Sequence, residues 1–161
     1  MLRHLILTAF ILTISVTAPV IAENPIVDFE QTDNQMNAAI AAAKSSLNVF
    51  ESEYSYTATT ADNFLLKIEV PTGPDGASEH IWTAVTGRQD NGDYTGILAN
   101  QPVDFDMNAG DPVSFPASMV SDWSYMKGGK LHGNYTTRVM LPHLPDDQAA
   151  GLRAMLAPLP E

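Results

Sequence analysis

The sequence predicts an α+β domain: an N-terminal helix packed on a strongly bent antiparallel sheet or small barrel of about five or six short strands, with a short C-terminal helix. Three observations predict it. Apolar residues recur at helical spacing over one early stretch. The period then changes to two for most of the remaining chain. Turn signals built on Gly, Pro, Asn and Asp cut that second region into pieces of strand length.

The helix is signalled by Thr32-Asp33-Asn34-Gln35, where Thr is followed three residues later by Gln, a capping-box pattern. Met36, Ile40, Ala43, Leu47 and Phe50 then fall at spacings of 4, 3, 4 and 3, one stripe of a helix of about 18 residues. Ala38, Ala39, Ala41 and Ala42 add helix propensity.

From Asn63 onward Phe64, Leu66, Ile68 and Val70 alternate with Leu65, Lys67 and Glu69, as in a half-buried strand. "PTGPDG" (71–76) is dense turn chemistry, and Glu79 to Thr86 is a second strand. Asn91-Gly92 suits a two-residue hairpin turn, which would set Val85 opposite Leu98 and Trp82 opposite Gln101. Tyr94 to Ala99 is the return strand, residues 100–112 are a loop, and Val113 to Phe115 is a short strand stopped by Pro116. The tail "LPDDQAAGLRAMLAPLP" reads as a last helix with Leu152, Met155 and Leu156 on one side.

The densest stretch is "SDWSYMKGGKLHGNYTTR" (121–138). Gly128-Gly129 makes a two-residue turn that pairs Tyr125 with His132 and Trp123 with Asn134. Alternation puts Trp123, Tyr125, His132, Asn134 and Arg138 on one face, and Asp122, Ser124, Met126, Leu131 and Val139 on the other. The second face is the more aliphatic and is expected to meet the core. The first carries rings with polar tips, the composition of a partly wet binding groove.

The ends and the composition bound the function. Residues 1–22 have a basic start, an uncharged apolar run from Leu5 to Val16 and a Val20-Ile21-Ala22 cleavage pattern, so a signal peptide cut before Glu23 is expected. The apolar run is shorter than the roughly 20 residues of a membrane span. Residues 23–32 read as a linker and residues 33–161 as a single domain, secreted across the inner membrane into the periplasm, with no stable membrane anchor after cleavage. Cleavage would remove Arg3 and leave 7 basic residues against 19 acidic ones, which argues against nucleic acid or an anionic membrane as partner. There is no Cys, so neither disulfides nor thiol chemistry are available.

No cofactor fingerprint is present. His80, His132 and His143 lack the helical spacing of a metal site. Asp104-x-Asp106-x-Asn108 resembles a calcium loop, but its glycine comes one position late and Phe115 stands where a bidentate Glu is needed. Ser124 and Asp122 alternate away from His132, which argues against a catalytic triad.

The stretches "EHIW" (79–82), "YTGILANQP" (94–102), "GDPVSFP" (110–116), "SDWSYMKGGKLHGNYTTR" and "LRAML" (152–156), with the Ala-rich helix, closely resemble the YegJ-like family of bacterial proteins, the domain of unknown function numbered 2314. The resemblance covers residues 34–156 and implies a helix followed by short strands. It implies no activity. Its recurring positions fall on Glu79, His80, Trp82, Gly96, Asn100, Pro102, Asp122, Trp123, Gly133, Tyr135, Thr136 and Arg138. The loop "DFDMNAGD" is more acidic than the resemblance leads one to expect.

The reading that follows is a non-enzymatic binding domain of the bacterial envelope. Trp123, Tyr125, His132, Asn134 and Arg138, with His80 and Trp82, would hold a protein, peptide or small ligand. The alternative is a small periplasmic enzyme, hydrolase-like, using His80 and His132 with a nearby carboxylate. Convergence of the two histidines in one pocket discriminates between them.

Overall fold

The computed structural model describes residues 34–160 apart from residues 57 and 75. The expected signal peptide, the linker and the Thr32 cap lie outside the described residues. The elements run α1 (Asn34–Ser45), α2 (Leu47–Ser55), β1 (Asp62–Pro71), β2 (Ser78–Arg88), β3 (Tyr94–Leu98), β4 (Pro112–Phe115), β5 (Val120–Lys127), β6 (Lys130–Gly133), α3 (Tyr135–Met140) and α4 (Asp146–Met155). The strands form one antiparallel sheet in the order β4-β3-β2-β1-β5-β6. The α+β class and the strand number are as the sequence predicts; the sheet is open, not a closed barrel.

One face of the sheet carries the core. Leu66 and Ile68 of β1, Ile81 of β2, Leu98 of β3 and Trp123 of β5 are buried together with Ala43 and Phe50 of the helices. Of the stripe read from the sequence, Ala43 and Phe50 are buried and Met36, Ile40 and Leu47 are half-buried. Aromatic rings join the layers: Phe50 lies edge-on to Phe64, and Phe64 meets Tyr125 at 5.6 Å. Edge and tilted geometries of this kind add to the area that the rings bury.

Five expectations change. The single helix of about 18 residues is two helices broken at Ser46. The Trp123 indole donates to the Ala43 carbonyl (3.2 Å) and to Ser46 Oγ (3.1 Å), while Ser46 Oγ bonds back to Ala42 O. Side-chain bonds to helix carbonyls bend a helix at that point.

The β2–β3 hairpin has a three-residue loop. Gln89 N donates to Asp93 O, Gly92 N donates to Gln89 O, and Gly92 is left-handed (φ 90). That is a turn closed by a glycine bulge rather than a two-residue turn. With a further shift between Val85 and Gly87, Leu98 faces Thr83 and Val85 faces Gly96, two residues away from the expected register.

The Gly128-Gly129 hairpin has the expected register, Tyr125 with His132, and Asn134 N still donates to Trp123 O. The strand then stops. Gly133 (φ 73) and Asn134 (φ 56) are both left-handed and turn the chain into α3, so Thr136 and Arg138 stand on a helix rather than a strand.

The faces of that hairpin are also exchanged. Trp123 and Tyr125 point into the core, because α1 and α2 pack on their side of β5. In the tail, Ala149 is the buried residue of α4 and Met155 is exposed.

Candidate functional site

Trp123, Tyr125 and Asn134, expected on a wet surface, are 1%, 4% and 6% exposed. Trp123 stacks on Tyr125 at 5.7 Å, and the amide of Asn134 donates to Ser124 Oγ (2.7 Å). These three hold the sheet to its helices and turn. His132 stacks on the outer side of Tyr125 (4.9 Å between rings, 9° between planes). Arg138 donates to Gly133 O and, at 2.6 Å, to Ala157 O. It makes no ion pair with Asp122, whose oxygens are committed elsewhere.

His80 and Trp82 stand on the other face of the sheet. Their neighbours Ile81 and Thr83 are buried, whereas Trp82 and Ala84 are half-buried and His80 is exposed. Strand alternation turns the two sets to opposite sides. His80 and His132 do not converge: β1 and β5 lie between their strands, a separation of roughly 14 Å at the usual strand spacing.

Next to His80 and Trp82 lies a polar network that the sequence did not reveal. Asp122 is fully buried. Its carboxylate accepts from the amides of Trp123 (2.8 Å), Tyr135 (3.1 Å) and Thr136 (2.8 Å) and from the Thr136 hydroxyl (2.6 Å). It thereby holds the first turn of α3 against β5, satisfying amides that a helix start leaves unpaired. The Thr136 hydroxyl accepts from Lys67 Nζ (3.0 Å), and that ammonium sits 5.0 Å from the centre of the Trp82 ring. Burial pulls the Lys67 ammonium below its usual pKa, opposed by the Asp122 charge. Burial pushes the Asp122 carboxyl up, opposed by its bonds to Thr136. Each charge is costly alone and tolerable beside the other.

His80 joins the same network. Ser121 Oγ donates to Lys67 O (3.2 Å) and lies 2.9 Å from His80 Nδ1. The His80 ring edge is exposed, but its inner nitrogen is screened from water, and desolvation lowers its pKa. This is a Ser–His contact without a usable nucleophile, since Ser121 is 0% exposed.

Glu79 braces the neighbouring acidic loop. Its carboxylate accepts from Val103 N and Asp104 N. Asp111 in that loop accepts from Asn108 N (2.8 Å). Among the described residues no group of three or more His, Asp and Glu is placed to hold a metal. A surface groove of about 440 Å³ runs between the α1–α2 junction and the tail residues Leu159 and Pro160, with Tyr135 in its wall. None of the seven candidate residues lines it.

A family model described as "Uncharacterized protein conserved in bacteria (DUF2314)" matches residues 33–154. The chain is 35% identical over 98 residues to "Uncharacterized protein YegJ" of Escherichia coli (strain K12), an alignment that takes in 60% of this chain and 61% of that protein. No solved structure matches. The family match takes in most of the chain: the chain belongs to the DUF2314 family.

Proposed function

We propose that this chain is a secreted binding module of the bacterial envelope, and that it holds its partner on the outer face of β2 around Trp82 and His80. The observation that carries this reading is the Trp82 indole. It is a large ring left half-buried on the face opposite the core, with one cation held against it and the His80 imidazole two residues away. Aromatic side chains flanked by polar groups are the usual anchors of binding surfaces. Ile97, 42% exposed and paired with Ala84, widens the apolar centre. The hydrolase alternative finds less support, because His80 and His132 share no pocket and Ser121 is sealed.

Site-specific photo-crosslinking in living cells tests the proposal. A photoreactive residue is placed at Ile97 on the outer face, or at exposed Asn48 on the helical side, in the full chain. The expected outcome is a mature protein in the periplasmic fraction whose N-terminal sequence starts at Glu23, with a discrete adduct formed from position 97 and not from position 48. Identical adduct patterns from both positions, or retention of the uncut chain in the cytoplasm, would overturn it.

A further inference from the structure

Strand register lines up four apolar residues across the outer face: Leu65 of β1, Ala84 of β2, Ile97 of β3 and Pro112 of β4. Ile97 and Pro112 are exposed, and Leu65 and Ala84 are half-buried. In the next row Trp82 stands beside Ala99, whose amide donates to Trp82 O (2.8 Å). Large and small side chains thus alternate between β2 and β3: Ile97 is the large one of its pair and Trp82 the large one of the other.

The charge on this face is unlike that of the whole chain, which has 19 Asp and Glu against 8 Lys and Arg. Among the described residues, β2, β3 and β4 put no carboxylate on it. The charged residues of β2 turn the other way, Glu79 to Val103 N and Asp104 N, and Arg88 to Glu51 of α2 (3.2 Å). Glu69 of β1 stands two rows from Leu65, beside His80. The polar side chains on the far side of the apolar row are paired within the chain. Thr86 Oγ1 donates to Thr95 Oγ1 (3.3 Å), and Gln89 Nε2 donates to Ser114 Oγ (3.0 Å). Covering them costs little, because each already has a partner.

We propose that this face pairs with the same face of a second copy of the chain. The inference rests on the outer-face reading above and names the partner. Charge selects it. Two copies repel wherever their carboxylates meet, and on this face they do not meet; a cationic partner would be drawn to the acidic surfaces instead. Shape selects it too. A two-fold axis parallel to the strands, midway between β2 and β3, sets each Ile97 over the other copy's Ala84, each Trp82 over Ala99 and each Leu65 over Pro112. Sheet spacings give the contact a footprint of about 14 by about 20 Å, roughly 300 Å², against about 800 Å² per partner in a stable dimer. The pair is therefore weak and reversible.

Sedimentation equilibrium of protein purified from cells expressing the full chain tests this, over about 10 μM to about 1 mM. The mass is expected to rise from monomer toward dimer. The dissociation constant is expected to fall at least about threefold between about 50 mM and about 500 mM NaCl, because salt screens the repulsion of two acidic copies. Ile97→Asp, at an exposed position that the fold does not need, is expected to weaken pairing at least about tenfold by pressing a carboxylate on the Ala84 hollow. Asn48→Asp adds the same charge at an exposed helical position and is expected to change pairing by less than about twofold. A protein that stays monomeric to about 1 mM, a dimer that salt weakens, or equal weakening by the two substitutions overturns the proposal. A monomer that still forms a discrete adduct with a different envelope protein from position 97 sinks self-pairing alone and leaves the binding face standing.

Discussion

Trp123 on β5 and Trp82 on β2 flank the same strand, β1, and face opposite sides of one sheet. Trp123 packs against Phe50, Tyr125 and Tyr135, and its indole N–H is satisfied by Ala43 O and Ser46 Oγ. Trp82 meets a lysine ammonium, and a half-exposed surface continues from it to His80. The side chain is the same and the neighbours differ. What separates them is which side of the sheet the helices cover, and that is a property of the whole chain rather than of either strand.

The comparison predicts unequal costs of truncation. Trp123→Ala removes a fully packed ring between helix and sheet and is expected to lose about 3–5 kcal/mol. Trp82→Ala removes one cation–π contact and partial burial, and is expected to lose about 1–2 kcal/mol. Urea unfolding of both variants checks this. Similar midpoints would break the contrast between core ring and surface ring.

Gly133 sharpens it. A Cβ there would lie 2.2 Å from Trp123 O and 2.4 Å from the Trp123 ring, at φ 73. A Cβ at Gly129 has the same backbone problem (φ 72) but open space around it. Gly133→Ala is expected to cost about 1–3 kcal/mol more than Gly129→Ala, the excess being the overpacking against Trp123. If the two alanines cost the same, backbone strain alone explains both and Trp123 has room to move.

The smallest effect concerns the outer face. Desolvation holds the His80 pKa below its free value, so protonation favours the unfolded chain. His80 therefore contributes stability that is present at neutral pH and is lost as pH falls through the unfolded value of about 6.5 toward the lower folded one. Urea midpoints between pH 7.5 and 5 are expected to fall less steeply in His80→Gln than in wild type. Parallel slopes would show that the imidazole is as well solvated as in the unfolded chain.

The sequence was most informative where a rule is local. The helical stripe ending in Phe50, the alternation of β1 and the Gly-Gly hairpin register are all visible in it, because periodicity and turn chemistry act over a few residues. Elsewhere distant chain decided. Alternation separated Trp123 from Asp122 correctly but could not say which of them met the helices, and the more aliphatic face proved the wrong guide. Lys67 reads as a solvent-side residue of β1 and is half-buried, its ammonium bonded to Thr136 of α3. The end of β6 is decided by two left-handed residues, Gly133 and Asn134, and the helix that follows by Asp122, eleven residues before Gly133. Of the site, His80 and Trp82 were legible as candidate residues but were grouped with the Trp123 face, which lies on the opposite side of the sheet; the Ser121, Lys67, Asp122 and Thr136 network beside them was not legible.

The sheet's two borders have a consequence for crowding. A sheet edge with unpaired amides recruits copies of itself, and proteins blunt such edges to avoid aggregation. Here β4 begins with Pro112, which offers no donor, and is four residues long. The opposite border is closed by the tail at a single bridge. The tail covers that border with the Leu131–Leu156 bridge and the bond from Ala157 N to Leu131 O. Loss of residues 156–160, by proteolysis or a premature stop, would bare the outward amide and carbonyl of Leu131 and turn that border into a seed for self-association.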